Sequence, residues 1–146
     1  MKTQELAKKK VAILATDGVE QVELTEPRNL LKEHGATVHI ISLMQAGEQI
    51  QAVYMLELAD KFTVDKYVGE TNPDDYDLLL IPGGAWNPDF LRLSDEAISF
   101  IKRFAQTGKP IASICHGPWT LIDAELVRGK KVTSFPSIRK DLENAG

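Results

Sequence analysis

Five short apolar runs, at 11–15, 37–43, 77–81, 110–114 and 131–135, are separated by stretches with helical character. Runs of this length that are continuously apolar, instead of alternating with polar residues, suit strands covered on both faces. Between them, 21–34 ends in Gly35, a helix stop signal. The stretch 94–107 carries apolar residues at Ala97, Ile98, Ile101 and Phe104, with Ser94 able to cap its start and Gly108 its end. Pro27 lies inside the first helix, so its early part is expected to kink or to be only a turn. Shorter helices are expected at 119–127 and 137–144, and a small hairpin or crossover strands within 45–69. Strands alternating with helices give an α/β fold with a largely parallel sheet and right-handed crossovers. In such sheets chemistry collects at the carboxyl ends of the strands. That rule selects 16–20, 82–89 and 115–118.

The 146 residues make one domain, 1–146, and at 43% hydrophobic they supply a core without disulfides or a structural metal. Lys and Arg number 17 against 21 Asp and Glu, a net charge of -4, which argues against the basic footprint of a nucleic-acid binder. A single cysteine, Cys115, excludes an intrachain disulfide and a multi-cysteine zinc site. His34, His39 and His116 have no metal-ligand spacing, so neither a metal nor a cofactor is expected. No apolar run approaches the roughly 20 residues of a membrane span. Residues 1–10 are polar and lack the apolar stretch of a signal peptide. The expectation is a soluble, cytoplasmic protein with no membrane partner.

Residues 110–119 read P-I-A-S-I-C-H-G-P-W. An apolar strand stops at Cys115, Gly117 and Pro118 prevent its continuation, and a helix-compatible segment follows. This is the layout of a nucleophile elbow with cysteine in place of serine. Such a turn exposes the side chain and brings backbone N–H groups near the attacked atom. A helix start beside the sulfur is expected to lower its pKa. The alternative is a buried, inert cysteine. His116 follows directly and could move protons or balance a thiolate. His34 reads as a helix C-terminal residue and His39 as part of a central strand.

Three acids follow the first strand: Asp17, Glu20 and Glu23. Glu20 and Glu23 are three apart and share a face if the helix has begun. Gly18 permits a tight turn that would aim Glu20 back toward the sheet edge, where a protonated carboxyl could donate to sulfur. The run P-G-G-A-W-N-P-D at 82–89 allows an unusual backbone path, and Gly84 could supply one arm of an anion hole, with the His116 N–H as the other. Asp89 could orient a histidine, within the subunit or across a dimer contact.

These stretches resemble the PfpI family of intracellular cysteine peptidases and protein deglycases, within the class I glutamine amidotransferase-like superfamily and close to its general stress protein branch. The resemblance is carried by D-G-V-E-Q-V-E-L at 17–24, I-P-G-G-A-W-N-P-D-F-L-R at 81–92, G-K-P-I-A-S-I-C-H-G-P-W at 108–119 and T-S-F-P-S-I-R-K-D-L-E-N-A-G at 133–146. It implies a flavodoxin-like three-layer sandwich and a Cys-His pair on an elbow. Cys115 falls on the family nucleophile, His116 on its neighbouring histidine and Glu20 on the acid that contacts the cysteine. Asp89 falls near an acid that reaches the histidine from a second subunit in peptidase-type members. Self-association as dimers or larger rings is implied. So is hydrolysis of peptides or of glyoxal-derived protein adducts, or hydration of glyoxals. Redox sensing through an oxidisable Cys115, or a non-catalytic stress protein, are the alternatives from other classes.

Two departures from the family pattern stand out. Relatives continue past the residue matching Gly146, so C-terminal elements are expected to be missing, with lower stability or compensating association. At 53–58, V-Y-M-L-E-L replaces a more polar stretch, with altered packing beside the site and neutral drift as the two readings.

Overall fold

The computed structural model describes residues 4–146, so part of the polar start read above lies outside the described residues. Its centre is a five-stranded parallel sheet. The first strand, β1 (Lys10–Leu14), is flanked by β3 (Thr37–Ser42) and β7 (Leu78–Ile81). A two-residue strand, β6 (Lys66–Tyr67), extends the β3 side, and β8 (Ile111–Ser113) extends the β7 side, giving the order β6-β3-β1-β7-β8.

Both faces of this sheet are buried, as continuous apolar runs require. Along β1, Val11 and Ile13 face one core while Ala12 and Leu14 face the other. The first core is roofed by α1 (Gln21–Glu33), through Leu24, and by a second, three-stranded sheet. That sheet holds β2 (Val19–Glu20), β4 (Gln49–Tyr54) and β5 (Glu57–Thr63) in the order β2-β4-β5. The opposite core is closed by α2 (Trp86–Arg92) and α3 (Asp95–Gln106). The buried stripe of α3 is Ala97, Phe100, Ile101 and Phe104, the i, i+3, i+4, i+7 spacing of one helical face. Burying each phenylalanine contributes about 1.5–3 kcal/mol. The helix starts where its sequence says: Ser94 Oγ accepts from the Ala97 N–H at 3.2 Å. Two short helices, α4 (Pro118–Asp123) and α5 (Arg139–Asn144), complete the order. The result is an α/β sandwich of the flavodoxin-like kind.

Three expectations need correction or sharpening. The part before Pro27 is helix and not merely a turn, since α1 spans Gln21–Glu33 across it, anchored by Leu24 and Leu31 on the core. The apolar run at 131–135 forms no strand. It lies mostly exposed and pairs with no strand, and instead Phe135 N–H donates to the Cys115 carbonyl at 2.8 Å. The 45–69 segment resolves into the antiparallel β4–β5 hairpin, and its apolar tip (Tyr54, Met55, Leu56 and Leu58) is exposed rather than packed. The stretch 86–92 is a helix, with Asn87 buried beneath it. Asn87 Oδ1 accepts from the Thr16 N–H at 2.7 Å and its Nδ2 donates to the Pro82 carbonyl at 2.9 Å, which stitches the end of β1 to the loop after β7. Among the described residues no helix is long and apolar enough to cross a membrane.

Candidate active site

After β1 the chain runs to β3 on one side of the sheet, and later returns to β7 on the other. Crevices form at the carboxyl edge of such a switch. The loops after β7 and β8 and the first turn of α1 meet there. Leaving β8, Ile114 N–H still donates to the Ile81 carbonyl at 3.2 Å, and then Cys115 turns to φ 60. A left-handed backbone is unfavourable for any residue with a Cβ. Here the neighbours enforce it: the Cys115 carbonyl is held by Phe135 N–H, and Gly117 N–H closes onto the Ile114 carbonyl at 2.8 Å. Gly117 itself admits no side chain, since a Cβ would meet the Ser113 hydroxyl and lie 2.6 Å from the Ile81 carbonyl.

The turn leaves Cys115 half-buried rather than packed within the core. Backbone N–H groups of Gly84 and His116 reach the sulfur. Gly84 has φ +82, and a Cβ there would collide with the Gly18 carbonyl, so only glycine brings that N–H so close. His116 Nδ1 lies 3.1 Å from Sγ. Its ring is stacked on Phe135 (centroids 4.7 Å apart, 24° between planes) and met edge-on by Trp119 at 5.3 Å. Its other nitrogen, Nε2, lies 3.2 Å from Ser137 Oγ.

The acid beside the sulfur is Glu23, which corrects the expectation for Glu20. Glu23 sits in the first turn of α1 and hydrogen-bonds Cys115, while its Oε2 accepts from the Gly83 N–H at 2.6 Å. Gly83 is the floor of this contact: a Cβ there would stand 2.6 Å from both Cys115 Cβ and Glu23 Oε2. Glu20 precedes the helix in extended backbone, and its carboxylate turns to the hairpin tip, accepting from Met55 N–H at 3.1 Å. Helical direction starts one residue too late to aim Glu20 at the sheet edge.

Charge at the site follows burial. Desolvation raises the Glu23 carboxyl above its ordinary 4.5, the charge of Glu20 adding to it and the Gly83 N–H opposing. The Cys115 thiol is also raised, by burial first and by Glu23 next, against the lowering pull of the Gly84 and His116 N–H groups. The expected lowering by a helix start does not prevail against burial and the charge of Glu23. Burial lowers the His116 imidazole, favouring its neutral form. The resting pair is therefore a thiol beside a neutral imidazole.

Asp89 is exposed on α2, and within this chain the polar partner of His116 Nε2 is Ser137, not Asp89. His34 closes α1, with Nδ1 3.0 Å from the Leu30 carbonyl, and His39 Nδ1 lies 2.9 Å from the Tyr76 hydroxyl. Ser137 and Phe135 were not legible as site residues. Among the described residues no three His, Cys, Asp or Glu side chains gather as a metal would require.

Comparison with known proteins agrees with this architecture. The chain is 43% identical over 138 residues to a Bacillus subtilis protein named "Putative cysteine protease YraA", covering 94% of this chain and 78% of that one. It is 39% identical over 137 residues to Deglycase TK1284 of Thermococcus kodakarensis, with the same coverage. A two-domain protein of Anabaena variabilis, containing DJ-1/ThiJ/PfpI-like and ferritin-like domains, superposes with a TM-score of 0.89 at 35% identity. The match covers 95% of this chain and 38% of that one. The model of the DJ-1/PfpI family matches residues 9–146, and the chain belongs to that family.

Proposed function

We propose that the protein is a cysteine-dependent hydrolase acting on carbonyl electrophiles, with glyoxal-derived adducts on proteins as the leading substrate class and peptides as the second. The observation that carries this reading is a cysteine strained to φ 60, with an imidazole nitrogen 3.1 Å from its sulfur and two backbone N–H groups on the same atom. Strain of this kind, about 1–3 kcal/mol, persists where surrounding structure enforces it and clusters at reactive sites.

In the proposed reaction the Cys115 sulfur forms a bond to the substrate carbonyl carbon as its proton passes to His116 Nδ1. The carbonyl electron pair moves to oxygen, and in this scheme the N–H groups of Gly84 and His116 turn from the sulfur to meet that charge. With a peptide, collapse expels the leaving amine, which takes the proton from Nδ1, and water then adds to the thioester carbon and returns a proton to sulfur. With a glyoxal adduct the sulfur instead displaces the amine from its carbinol carbon, the amine leaving with the Nδ1 proton, and water releases the resulting hemithioacetal with a proton returned to sulfur. Glu23, raised toward its neutral form, donates to the sulfur when protonated. When ionised it holds the thiol in its protonated state. Asp89 enters this scheme only across a contact between two copies of the chain. The names of the Thermococcus and Bacillus relatives favour the same chemistry and divide on the substrate.

A paired assay tests this, with a methylglyoxal-modified amine in one arm and a reporter peptide in the other. Wild type should turn over at least one, and Cys115→Ala neither, a loss of at least about a thousandfold. Equal turnover by Cys115→Ala ends the proposal. The ratio of the two arms assigns the substrate class.

A further inference from the structure

Resting on the thiol chemistry just proposed, we infer that Ser137 is a positioning residue for His116. Its Oγ accepts from Nε2–H and so holds the neutral imidazole in the tautomer whose Nδ1 lone pair faces the Cys115 sulfur. A neutral imidazole carries one ring proton. If Nδ1 is to receive the thiol proton, Nε2 must carry it and needs an acceptor. Ser137 Oγ, 3.2 Å away, is the polar partner that the chain supplies there.

The neighbourhood leaves the ring little choice of pose. Phe135 lies flat against one face and Trp119 meets the ring edge-on. Trp119 is itself fixed by its Nε1 donating to Asp141 Oδ2 at 2.8 Å. The segment carrying Phe135 and Ser137 is tied to the elbow, because Phe135 N–H donates to the carbonyl of Cys115 itself. Elbow, imidazole and serine thus form one closed loop of contacts: Sγ to Nδ1 at 3.1 Å, Nε2 to Oγ at 3.2 Å, and back through the backbone at 2.8 Å. Ser137 occupies a short turn over Pro136–Ile138 and is exposed, so its hydroxyl hydrogen remains for solvent and its replacement disturbs no core. This also accounts for the exposed run at 131–135, which reads as a strand but delivers the clamp on the histidine.

The test uses the full chain with 15N-labelled histidine. Two-bond 1H–15N spectra report which ring nitrogen of His116 bears the proton, and iodoacetamide alkylation near neutral pH reports the reactivity of Cys115. Wild type is expected in the Nε2–H form. Ser137→Ala should shift the ring to a tautomer mixture and slow alkylation about three- to tenfold, the worth of one hydrogen bond. Ser137→Thr, which keeps the hydroxyl, should retain both wild-type readouts. A wild-type tautomer and alkylation rate in Ser137→Ala, or a Ser137→Thr that behaves like alanine, overturns the inference. So does a tautomer change in Asp89→Asn with none in Ser137→Ala, which would assign the role to Asp89 of a second copy. Neither readout needs turnover. A chain that hydrolyses neither substrate yet shows the Ser137-dependent tautomer would defeat the proposed function and leave this inference standing.

Discussion

The loops that leave the neighbouring strands β7 and β8 meet the same steric demand in opposite ways. After β7 the backbone turns to φ +82 at Gly84, and after β8 it turns to φ 60 at Cys115. The first loop contributes backbone N–H groups, to the sulfur from Gly84 and to Glu23 from Gly83, so it can use glycine and carry no strain. The second must present a side chain. It keeps the Cβ and tolerates the left-handed cost of about 1–2 kcal/mol. Glycine stands where the main chain is the working group, and strain stands where the side chain is.

The comparison breaks most severely at Gly83. In Gly83→Ala the new methyl meets Cys115 Cβ and Glu23 Oε2, each at 2.6 Å. The variant should lose about 1–3 kcal/mol in urea unfolding, as overpacked sites do, and its turnover should collapse with the Glu23–Cys115 contact. Wild-type stability and rate in that variant would mean the two loops do not touch as described.

A smaller effect sharpens the contrast at the elbow itself. Cys115→Gly and Cys115→Ala both remove the sulfur, but only glycine relieves φ 60. The glycine variant should be the more stable of the two by about 1 kcal/mol, read from paired denaturation curves. An alanine variant that is equally stable would show the elbow to be unstrained.

The smallest effect concerns pH. The folded state holds the Glu23 proton above the ordinary value of 4.5, so between 4.5 and the raised value it binds more protons than the unfolded state. Wild type therefore loses stability from this group as pH rises through that window, and below it the penalty is absent. Glu23→Gln lacks the titration, so its stability relative to wild type should climb across the window and then level off. A difference that stays constant with pH would contradict the burial argument.

The strands were readable because a sheet buried on both faces writes continuous apolar runs, and α3 because its cap and its stripe agree. The run at 131–135 misled because β-branched residues signal a strand whether or not a partner strand exists. Helix α2 left no clear signal because Asn87 and Pro88 are poor helix formers, and only the tertiary role of Asn87, bridging Thr16 and Pro82, explains its burial. At the site, Cys115, His116 and Gly84 could be placed from the strand-turn-helix layout. The choice between Glu20 and Glu23 could not, since it depends on the single residue at which helical direction begins. Ser137 left no trace in the sequence because its part depends on a fold-back of some twenty residues onto the elbow.

The central claim is that the Cys115 sulfur bonds to the substrate during turnover. Rapid-quench intact-mass analysis during turnover of the favoured substrate, followed by peptide mapping, tests it directly. A transient mass increase confined to Cys115 is expected, present in wild type and absent in Cys115→Ala. Sustained turnover with no mass change on Cys115, or with the adduct on another residue, would contradict it.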